Sequence, residues 1–353
     1  NNHNLFLVGG AVRDVLLNKI PKDFDVATDA NPDEIQKILI DAGIKQQSQG
    51  VDFGVIVAKM SEAIEIATFR TDDSNDSGEM KDISVKFGAT IEEDVKRRDL
   101  TINGLFFDIS NKQIIDLVGG IDDLKNGIIR TIGKPEDRFK EDNLRKLRAI
   151  RFASRLGFKL DKALLKSIKK DPSLNVSSHR VVNELKNSFD RTKSKRHLIE
   201  LLIDTDLTDV IFQNTFMIKA FDNFEDLSFA EFIFLFVQDF DKKTIEQTLK
   251  EHDFSSNVID TCLFLKQLDL DLKSNTAIDP NMFFKSVKRL GINNISLQFF
   301  QDFDDKIDWL LSFKPDKELV QKLMAAGFTG KALGVELKRI NIEKFIEKFK
   351  KSL

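Results

Sequence analysis

The sequence predicts an α+β N-terminal part followed by an all-α remainder, and three observations carry that expectation. Short apolar runs closed by glycine or polar turns read as strands at Leu5–Val8, Gly54–Ala58, Ala63–Phe69, Leu105–Ile109 and Gln113–Leu117. Helical segments are interleaved with them, at Ala11–Leu17 and from Pro32 to Ala42. From Glu141 onward the apolar residues recur near the helical period, and the chain from Arg196 to Leu353 reads as helices. A length of 353 residues fits roughly two or three domains.

The stretch Leu5-Phe-Leu-Val-Gly-Gly-Ala-Val-Arg-Asp14 organises the first part. A buried strand ends at Gly9 and Gly10, and a helix opens behind them. The backbone amides of such a turn suit phosphate, and Arg13 adds a charge there. A second strand is expected to carry Asp23 and Asp25, which would then point to one face. Two carboxylates beside a phosphate-binding turn can hold divalent metal against a nucleoside triphosphate. Next, Asn31 caps a helix that has Pro32 where a missing N–H matters least, and Gly43 ends it. The segment Thr71–Asp82 is polar and contains glycine, so it reads as a mobile loop.

Composition sets the outer limits. The chain is 41% hydrophobic and 31% charged, enough for a folded core. No apolar run approaches the roughly 18 residues a membrane span needs, and nothing at the N-terminus suggests secretion, so a cytoplasmic location is expected. Cys262 stands alone in an apolar setting and reads as core. The four histidines, His3, His179, His197 and His252, are scattered, with no zinc cluster and no Ser-His-Asp arrangement. Net charge is −3, yet Lys134 to Glu200 holds 19 Lys or Arg against 9 Asp or Glu. A segment at +10 in a chain otherwise at −13 can hold a polyanion.

In their order and spacing, the Gly9-Gly10 turn and Lys22-Asp-Phe-Asp-Val-Ala-Thr28 resemble the class II tRNA CCA-adding enzymes and bacterial poly(A) polymerases of the DNA polymerase β superfamily. The resemblance continues through Arg97-Arg-Asp-Leu-Thr-Ile-Asn103 and Glu141-Asp-Asn-Leu-Arg145, and covers roughly the first 190 residues. It implies a nucleotidyltransferase head with a mixed five-stranded sheet at 1–133. A helical neck at 134–195, a body at 196–265 and a tail at 266–353 would follow. Asp23 and Asp25 would hold Mg²⁺, with Glu65 as a third carboxylate on a neighbouring strand. Gly9, Gly10, Arg13 and Arg98 would fix phosphates, while Asp99 and Asn103 would bond ribose hydroxyls. Asp142 and Arg145, one helical turn apart, would read the nucleobase edge, with Arg148 and Arg151 as phosphate contacts on the same flank.

The implied activity is template-independent addition or repair of the 3′-terminal CCA of tRNA from CTP and ATP, with release of pyrophosphate. The implied partners are the acceptor stem and elbow of tRNA, with no membrane, and a monomer or homodimer. The segment Gly327-Phe-Thr-Gly-Lys-Ala-Leu-Gly334 resembles the part implied to touch the tRNA elbow, and also reads as an ordinary turn between helices. The sequence departs from the family in its flexible loop, where Gly78-Glu-Met-Lys-Asp82 replaces the usual Asp-Gly-Arg core. His179 also stands where relatives carry Glu, beside Arg180 and ahead of a matching Glu184. An A-adding or CC-adding enzyme, a poly(A) polymerase and an inactive RNA-binding protein stay open as alternatives.

Overall fold

The computed structural model describes residues 3–47, 53–74, 83–213, 224–274, 276–290, 300, 303–313 and 316–349. The chain divides into two compact units, Asn1–Leu207 and Thr208–Leu353.

In the first unit β1 is Leu5–Val8. Gly9 takes φ 64° and ψ −122°, a conformation a Cβ disfavours, and so turns the chain into α1, Gly10–Leu16. β2, Asp25–Thr28, pairs antiparallel with β1, with Val8 opposite Asp25. Asp23 therefore lies just before the strand rather than on it, which corrects the expectation of a shared strand face. β1 has already left the sheet at Gly9, so nothing remains there for Asp23 to pair with. α2, Pro32–Asp41, carries a capping box between Asn31 and Glu34.

β3 (Lys45–Gln47), β4 (Val55–Lys59) and β5 (Ala63–Thr68) are antiparallel neighbours, and β5 lies parallel to β2. β6, Arg70–Ser74, and β7, Ile83–Phe87, form a separate antiparallel ribbon. The expected loop from Thr71 thus begins as strand, its backbone groups satisfied by β7 rather than by water. Residues 75–82, with the altered family segment, lie outside the described residues.

α3, Ile91–Arg97, is capped by Thr90 and Glu93, and a 3₁₀ turn at Thr101–Asn103 leads into β8, Leu105–Asp108. β9, Gln113–Asp116, completes a mixed sheet ordered β3-β4-β5-β2-β1-β8-β9. It has seven strands rather than the five expected. Phe6, Phe69 and Phe106 pack with ring centroids 5.7–6.3 Å apart at its core. α4 is Gly120–Asn126, and a Cβ on Gly120 would fall 2.3 Å from the Thr101 carbonyl oxygen, so only glycine admits this approach.

Helices then predominate. α5 is Pro135–Glu141 and α6 is Leu144–Leu156. The short strands β10, Ile128–Ile129, and β11, Lys159–Leu160, pair parallel around them. α7 (Lys162–Lys170), α8 (Ser178–Arg191) and α9 (Lys195–Asp204) follow. Leu147, Ala149, Ile150 and Ala153 of α6 are fully buried, and α6 packs chiefly on α8 and α9. Ser177 takes the cap position of α8 with no side-chain bond to the helix.

The unit boundary falls inside α10, Leu207–Phe212. The second unit is helical among its described residues: α11 (Phe229–Val237), α12 (Lys242–Glu251), α13 (Ser256–Lys273), α14 (Pro280–Leu290), α15 (Asp304–Ser312), α16 (Lys317–Ala325) and α17 (Gly330–Phe349). α11 is buried from Ala230 to Val237 and packs on α13. Cys262 is core as expected, its thiol pushed up by burial and then by Glu231. Gly327, at φ 93°, sits in the turn between α16 and α17. Among the described residues no helix is long and apolar enough to cross a membrane.

Candidate active site

Two clefts open in the first unit, on either side of the Gly9-Gly10 turn. The first, of about 430 Å³, is lined by Gly10, Arg13, Asp14, Lys22, Asp23, Asp25, Arg155 and Arg191 among others. It brings together the glycine turn and both aspartates singled out from the sequence. Asp25 sits at the end of β2, where burial pushes its carboxyl above the ordinary range. Glu65 and Asp23 push it further, against the pull of Arg98. Arg13 is 2% exposed. Its Nε and Nη2 donate to Asp14 Oδ1 at 2.9 and 2.8 Å, and its Nη1 donates to Asn103 Oδ1 at 2.6 Å. Three of its donors are thus engaged within the protein, leaving about two for a ligand.

The second cleft, of about 420 Å³, is lined by Gly9, Arg70, Arg97, Arg98, Asp99, Asn103, Asp142, Arg145, Arg148 and Arg180, with Leu144. Asp99 accepts from Arg148 Nε and Nη2 at 3.0 and 2.6 Å, and from Asn103 Nδ2 at 3.2 Å. Burial alone would raise the Asp99 carboxyl. The charge and bonds of Arg148, helped by Asn103 and the Leu100 N–H, outweigh it and hold the carboxyl low. A continuous chain of bonds, Asp14–Arg13–Asn103–Asp99–Arg148, therefore crosses from one cleft to the other.

Asp142 differs from its expected setting. It occupies the break between α5 and α6 with extended backbone, φ −156° and ψ 108°, instead of lying on the helix. Its Oδ1 accepts the Leu144 N–H at 3.0 Å, a local bond that competes with helix continuation. Its Oδ2 accepts from Arg180 at 2.8 Å. Arg145 stays beside it, its N–H bonded to the Asp142 carbonyl and its guanidinium paired with Glu141.

Two expected site residues line neither cleft. Arg151 is 8% exposed, donates to Glu184 and lies over the Phe152 ring, so it braces α6 against α8 instead of reaching phosphate. Glu65 is the register partner of Asp25 but is exposed. Among the described residues no three His, Cys, Asp or Glu side chains converge as a metal site. Asp23 and Asp25 remain, a pair of hard oxygen donors. Burial and then the negative charges of Glu65 and Asp23 raise the Asp25 carboxyl, and a divalent cation would offset both, so the pair fits Mg²⁺.

The structure adds residues the sequence did not disclose. Arg138, 7% exposed, donates from Nη2 to the carbonyls of Arg97 and Arg98 at 2.6 and 2.8 Å, and from Nη1 to Glu141 at 2.7 Å. Fully buried Asp94 accepts from Arg97 and Arg98, at 2.8 and 3.0 Å from their Nε atoms. Lys22, Arg155 and Arg191 join the first cleft, and Arg70 the second. Lys22 opens the Lys22–Thr28 stretch quoted above, and no local pattern marks the others. An arginine that turns inward has the same sequence context as one that stays solvated.

Residues 5–130 match the poly A polymerase head domain family. A CCA-adding enzyme of Ligilactobacillus salivarius is 46% identical over 170 residues, covering 48% of this chain and 41% of that protein. Poly(A) polymerase I of Escherichia coli O6:H1 is 41% identical over 174 residues, covering 45% of this chain and 35% of that protein. The match thus spans under half the length of either relative. The structure of a Thermotoga maritima CCA-adding enzyme complexed with tRNA shares the fold, with a TM-score of 0.69 at 22% identity over 98% of this chain and 87% of that one. Residues 5–130 are thus similar to the poly A polymerase head domain, and part of the chain is similar in sequence to CCA-adding enzymes and to poly(A) polymerase I.

Proposed function

We propose that this protein adds or repairs the 3′-terminal CCA of tRNA without a nucleic-acid template, using CTP and ATP and releasing pyrophosphate. One observation carries the reading. Gly9 and Gly10, adjacent in a single turn, line one cleft each, so paired aspartates and a polar base-sized cleft lie side by side. A nucleotide laid across the turn puts its phosphates by Gly10, Arg13, Asp23 and Asp25, and its nucleoside by Asp99, Asn103, Asp142 and Arg145. The likeness to the CCA-adding enzyme of Ligilactobacillus salivarius supports the same reading.

Asp23 and Asp25 would hold Mg²⁺, which when bound lowers the pKa of the attacking hydroxyl and offsets charge on the leaving oxygen. The tRNA 3′-hydroxyl attacks the α-phosphorus, and the bond to the β-phosphate oxygen breaks. Arg13 and Arg98 fix the phosphates, and Arg98 is anchored for this by Asp94 and the Phe106 ring. Arg148 orients Asp99 toward the ribose. Asp142 accepts from the exocyclic amino group shared by cytosine and adenine, and Arg145 donates to the ring nitrogen beside it. Glu65 acts on Asp25 through its charge.

We assign head, neck, body and tail to 1–133, 134–195, 196–265 and 266–353, with the tail meeting the tRNA elbow in the cytoplasm. The departure at residues 78–82 and the likeness to poly(A) polymerase I favour a second reading, an enzyme that adds only C, only A, or poly(A). Incubating tRNA lacking its end with Mg²⁺ and each labelled nucleotide, alone and together, separates these by product length. No incorporation from any mixture would sink both.

A further inference from the structure

The cations of the first cleft outnumber what its own carboxylates engage. α6 and α8 run side by side in the same direction, since Asp142 meets Arg180 and Arg151 meets Glu184 further along. Their last turns accordingly bring Arg155 and Arg191 to the cleft that holds Gly10, Asp23 and Asp25, and Lys22 joins from the segment before β2. Asp190, beside them, is taken by Lys186 through bonds of 2.9 and 2.8 Å. Asp14 is shared, with Arg13 at 2.8 Å and Arg155 at 3.5 Å. Among the described residues neither Arg191 nor Lys22 has an acidic partner within ion-pair distance, and both are exposed to the cleft.

A cation at a helix C-terminus complements the dipole, which accounts for the sign of each arginine. It does not account for two of them meeting beside a phosphate turn. Burial lowers the affinity of Arg155 for its proton, and the like charges of Arg13 and Arg191 lower it further. Such crowding suits a ligand that concentrates negative charge. A diphosphate does so within a few ångströms, whereas an RNA strand carries one charge per nucleotide.

We propose that Arg155, Arg191 and Lys22 form the seat of the β- and γ-phosphates, the end of the nucleotide that leaves as inorganic pyrophosphate. The assignment rests on the nucleotidyl-transfer reading of the cleft and extends it to two helix-terminal arginines and to Lys22, to which the sequence gives no role. The seat holds the leaving group in line while Asp23 and Asp25 face the reacting phosphorus.

Calorimetric titration of inorganic pyrophosphate, with and without Mg²⁺, tests the seat without requiring turnover. Arg191→Gln and Lys22→Gln, both at exposed positions, should each weaken pyrophosphate binding about tenfold, the scale of a lost charge-assisted bond. Arg155→Gln should do the same. Lys125→Gln, on α4 with a 71% exposed side chain, serves as the control for general charge. Binding of tRNA should stay within about twofold throughout. If tRNA affinity falls while pyrophosphate binding holds, the cations serve the RNA backbone and the proposal fails. It fails too if wild type does not bind pyrophosphate, or if none of the three variants weakens it. Wild type that binds pyrophosphate through these residues but never extends tRNA would keep the seat and strike the transfer reading instead.

Discussion

Replacing Glu184 by glutamine should unfold the first unit more easily while leaving nucleotide binding alone. Arg151 and Glu184 face each other between α6 and α8, each with a side chain only 9% exposed. Glutamine keeps the shape but removes the charge, so Arg151 is left buried and uncompensated. Breaking a buried pair from one side costs about 3–5 kcal/mol. For a unit of this size about 3 kcal/mol corresponds to roughly 6–12 °C in melting temperature. The double variant Arg151→Met/Glu184→Leu removes both charges and should recover most of that loss, because no isolated charge remains. Melting followed by circular dichroism, beside KM for CTP in the incorporation assay, measures both halves. Arg151 lines neither cleft, so KM should stay within about twofold. A tenfold rise in KM for Arg151→Met with an unchanged melting temperature would restore Arg151 as a phosphate contact and refute the bracing argument.

Further outcomes follow from the same geometry. Asp23→Asn and Asp25→Asn should each abolish incorporation and leave tRNA binding in a filter assay intact; near-normal turnover would remove the metal assignment. The Asp25 carboxyl is raised by folding, so the folded chain keeps a proton the unfolded chain has lost, and stability falls as pH rises between the two values. Asp25→Asn without Mg²⁺ should therefore melt higher than wild type at neutral pH and lose that advantage by about pH 3, where both states are protonated. Asp99 has the opposite sign: its stabilisation is present above the ordinary carboxylate value and lost as pH falls through its lowered one, and Arg148→Met should flatten that acid limb of the melting profile. Asp142→Ala should blur the preference for CTP and ATP over UTP and GTP by about tenfold, a bidentate base contact being worth roughly 1–3 kcal/mol; an unchanged ranking of all four nucleotides counts against it. Affinity for tRNA should fall as salt rises despite the net charge of −3, and a flat salt titration would remove the +10 segment from the interface.

The parts of this fold that were legible are those where a local rule decides the outcome. β1 ends at Gly9 because the turn needs a positive φ, and α2 begins at Asn31 because the capping box is written in adjacent residues. Spacing alone places Asp23 and Asp25 on one strand face, but the partner strand ends at Val8, opposite Asp25, and leaves Asp23 outside the sheet. At Asp142 the helical period ran on through Glu141 and Asn143, but a side-chain bond to Leu144 breaks the helix in two. In the ribbon, β6 reads as loop because Arg70-Thr-Asp-Asp-Ser74 is polar throughout, and it becomes strand only through backbone pairing with β7. Arg151 illustrates the limit most plainly: the i, i+3 stripe located the flank correctly, but only the position of Glu184 decides whether a guanidinium faces a ligand or another helix.

The placement of β1 has a consequence for synthesis. The first strand of the sheet is also an interior one, with β2 on one side and β8 on the other. About a hundred residues must therefore leave the ribosome before its second edge is covered. Until Leu105–Asp108 arrives, that edge offers unpaired N–H and C=O groups to any passing strand. The Gly9 N–H waits as well, since it bonds the Leu105 carbonyl at 3.2 Å. The glycine turn after β1 thus becomes rigid late, and fragments ending before residue 105 should be found in aggregates rather than as folded heads.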